Sequence, residues 1–155
     1  MSGATCQIHA TAIALDQGRA ALMLGPPGAG KSDLALRCIL EGAWIDGRHY
    51  TATLVADDQV IIERNLRGLR ARPPEPIAGR LEVRGLGIVA LPHAALADVV
   101  LAVELAAPDT IARLPDPVPS WHLLDVEVPL IRIAPFEASA HLKLLLALVR
   151  GIPPV

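Results

Sequence analysis

Residues 25–32 read GPPGAGKS, directly after the apolar run AALML at 20–24 and directly before SDLALRCILEG at 32–42. The run has the length and continuity of a strand buried on both faces. The following segment has apolar residues at 34, 35, 36, 38, 39 and 40 and then Gly42, which predicts a helix over 32–42 with that glycine as its C-cap. Strand, glycine-rich turn and helix in that order frame a Walker A loop, and Gly25-x-x-x-x-Gly30-Lys31-Ser32 matches the pattern in full. Each residue type has a chemical reason. Small residues (Gly25, Gly28, Ala29 and Gly30, beside Pro26 and Pro27) let successive backbone N–H groups turn onto phosphate oxygens. The helix start adds the positive end of its dipole. Lys31 brings a compact charge to the terminal phosphates, and the Ser32 hydroxyl is placed for magnesium. Lys31 and Lys143 are the only lysines among fourteen basic residues, so lysine in this slot reflects its shape rather than generic positive charge. The loop is read as the site of a nucleoside triphosphate or a similar phosphate donor.

The rest of the composition narrows the class. The 155 residues suit one domain with a real core, and at 52% hydrophobic but only 3% aromatic that core is aliphatic. No apolar run approaches the roughly 20 residues that span a bilayer, and the first residues, MSGATCQIHATAIALDQ, lack the basic start of a signal peptide. Cys6 and Cys38 fit no metal spacing and are read as reduced thiols in a cytoplasmic setting. A net charge of −2 argues against general nucleic-acid binding. Arginines do gather at 64, 67, 70, 72, 80 and 84, as either a solvated face or an anion-binding surface.

Outward from the loop, 7–15 (QIHATAIAL) reads as a strand ending at a DQG turn, and 51–63 holds two strand-like pieces around Asp57 and Asp58. Residues 43–51 read as a surface loop or a hairpin built on Asp46 and Gly47. The proline-bearing stretch 67–79 reads mostly as loop, 97–105 as a buried strand, and 107–121 as proline-punctuated loop with room for one helical turn. Residues 126–133 alternate like a strand that Pro129 keeps near an edge, and 135–151 reads as a C-terminal helix with Arg150 and Gly151 at its end. The pattern is that of one α/β domain.

Three acidic positions could do chemistry. Asp57 and Asp58 follow LVA at the end of a buried strand, where open α/β sheets bind ligands. Residues consecutive in a strand point opposite ways, so a turn must begin there if both are to act. Glu82 and Arg84 share one face at i and i+2; they could hold a metal and steady a phosphate, or form an exposed ion pair of at most about 1 kcal/mol. His9 stands alone on its strand, and none of His49, His93, His122 or His141 has the spacing of a zinc site.

Four segments in this order, IHA at 8–10, GPPGAGKS at 25–32, LVADD at 54–58 and LEVRGLGI at 81–88, resemble the catalytic domain of HPr kinase/phosphorylase, in the short α-proteobacterial form without an N-terminal regulatory domain. The resemblance covers about residues 6–150. It implies a single P-loop kinase domain with a mixed central β-sheet of the PEP-carboxykinase type. The implied activity is ATP- and Mg2+-dependent phosphorylation of a serine on an HPr-type phosphocarrier of the phosphotransferase system. By position, His9 matches an active-site histidine, Lys31 a catalytic lysine, and Ser32 and Glu82 the magnesium ligands. The pair Asp57 and Asp58 contains the base that takes the serine proton, and Arg113 matches the arginine that steadies the transferring phosphoryl group. The family also implies a homo-hexamer. Its bifunctional members carry a PVRPGRN-type loop associated with dephosphorylation. Here 134–140 reads APFEASA, without arginine and with an added glutamate, which leaves the phosphorylase half open. Two other readings of the loop stand beside this one: a small-molecule P-loop kinase with an arginine-bearing lid at 64–84, and a nucleotide sensor without catalysis.

Overall fold

A computed structural model describes residues 3–153. Its frame is a nine-stranded mixed sheet. The strand before the phosphate loop is β3 (Arg19–Leu24), and it is flanked by β2 (Thr11–Ala14) and β11 (Ala97–Leu105). Beyond β2 lies β6 (Thr53–Ala56). On its other edge β11 pairs at its start with β8 (Gly68–Arg72) and at its end with β13 (Val126–Ile133). From β8 the sheet continues through β7 (Gln59–Asn65) to β1 (Thr5–His9), and β12 (Ser120–Leu123) is added to β13. Two hairpins stand apart: β4 (Ala43–Ile45) with β5 (Arg48–Tyr50), and β9 (Arg80–Val83) with β10 (Gly87–Ala90).

The central strands are apolar along their length because both faces are covered. Ala21 and Met23 of β3 face a core built with the helices α1 (Lys31–Leu40) and α2 (Ala140–Arg150), where Leu34, Cys38, Leu144 and Leu148 are fully buried. Ala20 and Leu22 face the second core, made where Val60, Ile62, Leu69 and Ala71 of β7 and β8 pack against Val55 and Val99. Alternate residues of one short strand thus serve two cores, each large side chain contributing roughly 1.5–3 kcal/mol on burial.

Several expectations are corrected. The stretch 7–15 is two strands rather than one: the chain breaks at Ala10, so that β1 pairs with β7 while β2 pairs with β3 and β6. The stretch 67–79 is turn, coil and a 3-10 turn from its prolines onward, as expected, but its beginning is β8 at 68–72, which lends Leu69 and Ala71 to the core. The C-terminal helix starts at Ala140 rather than 135, because 134–139 is spent on turns that reach the phosphate loop. The helix after the loop ends one step early: Glu41 is its C-cap, and Gly42, φ 68°, follows with its N–H donating to the Arg37 carbonyl at 3.0 Å. Other expectations hold. Residues 43–51 form a hairpin turning at Asp46 and Gly47, both at positive φ. Pro129 lies in the half of β13 that pairs with β12 alone, where the strand has a single neighbour. Of the clustered arginines, Arg64, Arg70 and Arg72 face Asp125, Asp98 and Glu63 at 3.8–3.9 Å as screened surface pairs, while Arg84 does not share that surface pairing among the described residues.

Candidate active site

Because β2 runs antiparallel between β3 and β6, and β11 and β13 run parallel to β3, four strands end at the same edge of the sheet. That edge receives the phosphate loop after β3, Asp57 after β6 and residues 134–137 after β13, while β2 starts there with Thr11. A site outside the carboxyl ends of such strands is where this architecture places its ligands.

The loop itself is tightly organised. Gly28 and Gly30 take positive φ (81° and 104°), and α1 begins at Lys31. Lys31 as a residue is only 6% exposed, and its ammonium donates to the carbonyls of Gly25 (2.6 Å) and Pro26 (2.9 Å). Burial pulls its pKa below the usual lysine value, and the charges of Asp57 and Asp58 oppose that pull.

The two aspartates are divided by a tight turn. The Gln59 N–H donates back to the Asp57 carbonyl (2.8 Å) across Asp58, whose φ is 71°. This is a γ-turn of the strained hand, a conformation that costs about 1–3 kcal/mol and persists where the surroundings enforce it. Its effect is to separate the side chains. Asp57 is buried: Oδ1 accepts the hydroxyls of Thr11 and Ser32, each at 2.8 Å, and Oδ2 accepts the Glu82 N–H at 3.2 Å. Asp58 is exposed, and its Oδ1 lies 3.1 Å from His9 Nδ1, which β1 delivers by pairing His9 opposite Gln59.

These groups line one cavity of about 370 Å³. Of the residues singled out from sequence, it collects His9, Pro27, Gly28, Gly30, Lys31, Ser32, Asp57, Asp58 and Glu82. Gly25, Pro26 and Ala29 shape the loop behind them without lining the cavity, and Arg113 stands on an exposed loop outside it. The wall also holds residues to which sequence reading gave no part in the site: Thr11, Asp33, Leu36, Val83 and Phe136. Thr11 carried a signal, being the one polar residue in the buried run 10–15. Phe136 carried a weaker one as the single phenylalanine. Arg84, weighed from spacing as a phosphate contact or a surface ion pair, lines the cavity and has no carboxylate partner among the described residues.

The donor chemistry suits magnesium. Ser32, Asp57 and Glu82 offer hard oxygens on one cavity wall, and no group of three or more His, Cys, Asp or Glu among the described residues forms a cage. Mg2+ is ordinarily held by one or two protein oxygens together with phosphates and water.

Comparison with known proteins bears on the fold and the family. Among curated proteins, none matches the chain. Solved structures do, among them the Hpr(Ser) kinase/phosphatase from Coxiella burnetii, at 23% identity and a TM-score of 0.74, over 94% of this chain and 95% of that one. The likeness is one of fold: a mixed α/β domain with a C-terminal helix. The family model described as the HPr Serine kinase C-terminal domain matches residues 3–149, nearly the whole chain, and the chain therefore belongs to the family of HPr serine kinase C-terminal domains.

Proposed function

We propose that this chain is an ATP-dependent serine kinase acting on an HPr-type phosphocarrier, with Asp58 as the base and the Lys31 loop as the phosphate grip. The observation that carries the reading is the joint placement of Lys31, Ser32, Asp57, Asp58 and His9 on one cavity wall, in a chain of this family. Lys31 and the backbone N–H groups of 28–32 hold the β- and γ-phosphates. Ser32 and Glu82 would hold Mg2+, with Asp57 fixing the Ser32 hydroxyl and, through the Glu82 N–H, the strand that carries Glu82. Bound there, the ion would neutralise charge on the phosphate oxygens.

Asp58 suits the acceptor side because it is exposed and committed only to His9, whereas both oxygens of Asp57 are occupied. The serine Oγ attacks Pγ, the bond from Pγ to the bridging oxygen breaks, ADP leaves with that electron pair, and the serine proton passes to Asp58. A carboxylate is a weak base for a free hydroxyl, but in a loose transition state the proton leaves late and placement counts for more than basicity. Arg84 lines the cavity and is the guanidinium placed to steady the transferring phosphoryl group, whereas Arg113, to which the family resemblance gives that role, stands on an exposed loop outside it.

The 134–140 segment supplies no cation. Its Glu137 pairs with Lys143 at 2.8 Å, so the segment brings no side-chain cation toward inorganic phosphate, and the proposal is confined to the kinase direction. The proposal includes a homo-hexamer and a cytoplasmic setting; among the described residues no helix is long and apolar enough to cross a membrane. The test is incubation with labelled ATP, magnesium and the host's HPr-type carrier, followed by mapping of the label. Label on a carrier serine supports the reading. Label on a small molecule, or ATP binding without transfer, replaces it with a small-molecule kinase or a sensor.

A further inference from the structure

Phe136 is 74% exposed although it is the chain's single phenylalanine, and it forms part of the cavity wall beside the phosphate loop. It is not loosely placed. A Cβ built on Gly30 would lie 3.0 Å from Phe136 Cζ and 3.1 Å from Pro135 Cβ, so the 135–136 turn sits directly on the loop. Arg37, on the second turn of α1, holds that turn. Its guanidinium donates to the carbonyls of Pro135 and, at 3.4 Å, Glu137, and pairs with Asp33 at 3.0 Å.

The strand order gives the ring its meaning. The phosphate loop follows β3; the acid pair lies two strands to one side, after β6, and Phe136 two strands to the other, after β13. Four strand spacings lie between the ends of β6 and β13, so the acid pair and Phe136 enter the cavity from opposite flanks of the phosphate loop. The transferred phosphoryl group must lie toward Asp58, since the acceptor hydroxyl is deprotonated there. The nucleoside end of the same molecule therefore runs away from Asp58, past Asp33 and Leu36, toward Phe136. We infer that Phe136 is the stacking platform for the base of the donor nucleoside triphosphate, and that Arg37 is the positioning residue that holds the platform on the loop. This rests on the kinase reading above and adds to it the subsite that distinguishes a nucleotide from a bare polyphosphate.

The test is calorimetric titration of the full chain with MgATP and, separately, with magnesium tripolyphosphate, which has the phosphates and no base. Phe136→Ala should weaken ATP about tenfold, the size of one base–aromatic stack, and leave tripolyphosphate unchanged; Phe136→Trp should restore ATP. Arg37→Gln should reproduce the selective loss in smaller measure. Equal weakening of both ligands by Phe136→Ala would mean that the ring only shapes the phosphate loop, and overturns the inference. Unchanged ATP affinity with a raised KM for the carrier protein would move Phe136 to the acceptor and also overturns it. If the unaltered chain binds neither ligand, the nucleotide reading itself falls, and this inference with it.

Discussion

Asp57 and Asp58, adjacent in the chain, stand in opposite environments: Asp57 is 7% exposed beneath two hydroxyls and an N–H, and Asp58 is turned out by its 71° φ to meet His9. One residue of spacing separates a buried carboxylate with both oxygens bonded from an exposed one that meets only His9.

Asp58→Asn should therefore lower kcat by about 10²–10⁴, the ordinary contribution of a positioned base, with ATP affinity unchanged. Asparagine tolerates positive φ nearly as well as aspartate, so the turn survives. Asp57→Asn should behave differently. It leaves the buried Thr11 hydroxyl and the half-buried Ser32 hydroxyl without a charged acceptor, and should lower stability by about 1–3 kcal/mol and weaken MgATP. Kinetics, nucleotide titration and thermal melts on both variants separate the two roles; identical behaviour would contradict the division.

Arg84 is the guanidinium on the cavity wall, free of carboxylate partners among the described residues. Arg84→Gln is expected to lower kcat by about 10²–10³, as loss of a donor to a transition-state oxyanion does, and to spare ATP affinity. Arg113→Gln is the companion measurement. An equal loss there would show that the exposed loop of Arg113 comes to the cavity during turnover.

Cys38 is fully buried on the inner face of α1, and burial pushes its thiol from 9.0 up to about 12, with the Arg37 charge opposing. The folded pKa is raised, so the folded state keeps its proton where the unfolded chain loses it. The associated stability is fully present below pH 9.0 and is lost as pH rises through about 12, reaching about 4 kcal/mol in order of magnitude. Comparing unfolding midpoints from pH 8 to the highest pH at which melting is reversible, the Cys38→Ala variant should show a shallower fall than the unaltered chain. Parallel curves would refute it.

Gly42 closes α1 at φ 68°, and a Cβ there would fall 2.2 Å from the Tyr50 carbonyl oxygen. Gly42→Ala must displace the β4–β5 hairpin as well as accept a disfavoured conformation. It is expected to cost more than the roughly 1–3 kcal/mol of the conformation alone. Gly47→Ala is the control: φ is 78° with nothing within 4 Å, so only the conformational cost remains. Denaturant melts of the two should differ, and equal losses would remove the steric argument.

What could be read from the chain was whatever local chemistry dictates. Continuous apolar runs at 20–24 and 97–105 mark strands covered on both faces. GPPGAGKS marks a phosphate loop because its glycines, lysine and serine answer to one ligand. Asp57 and Asp58 demanded a turn, because neighbouring strand residues face apart, and the turn is there. Where reading failed, pairing had overridden pattern. Residues 7–15 alternate as one strand but serve two sets of neighbours, and residues 68–72 lie in a proline-bearing stretch yet complete a core.

The sequence alone settled which residues could bind phosphate and which could carry charge, since backbone geometry and side-chain chemistry are local properties. Tertiary structure decided which aspartate is buried, that Arg84 rather than Arg113 lines the cavity, and that Phe136, more than a hundred residues from Gly30, rests on the phosphate loop. Those outcomes depend on strand order across the sheet, and strand order is set by which faces bury together, a sum over distant contacts that no single stretch of the chain contains.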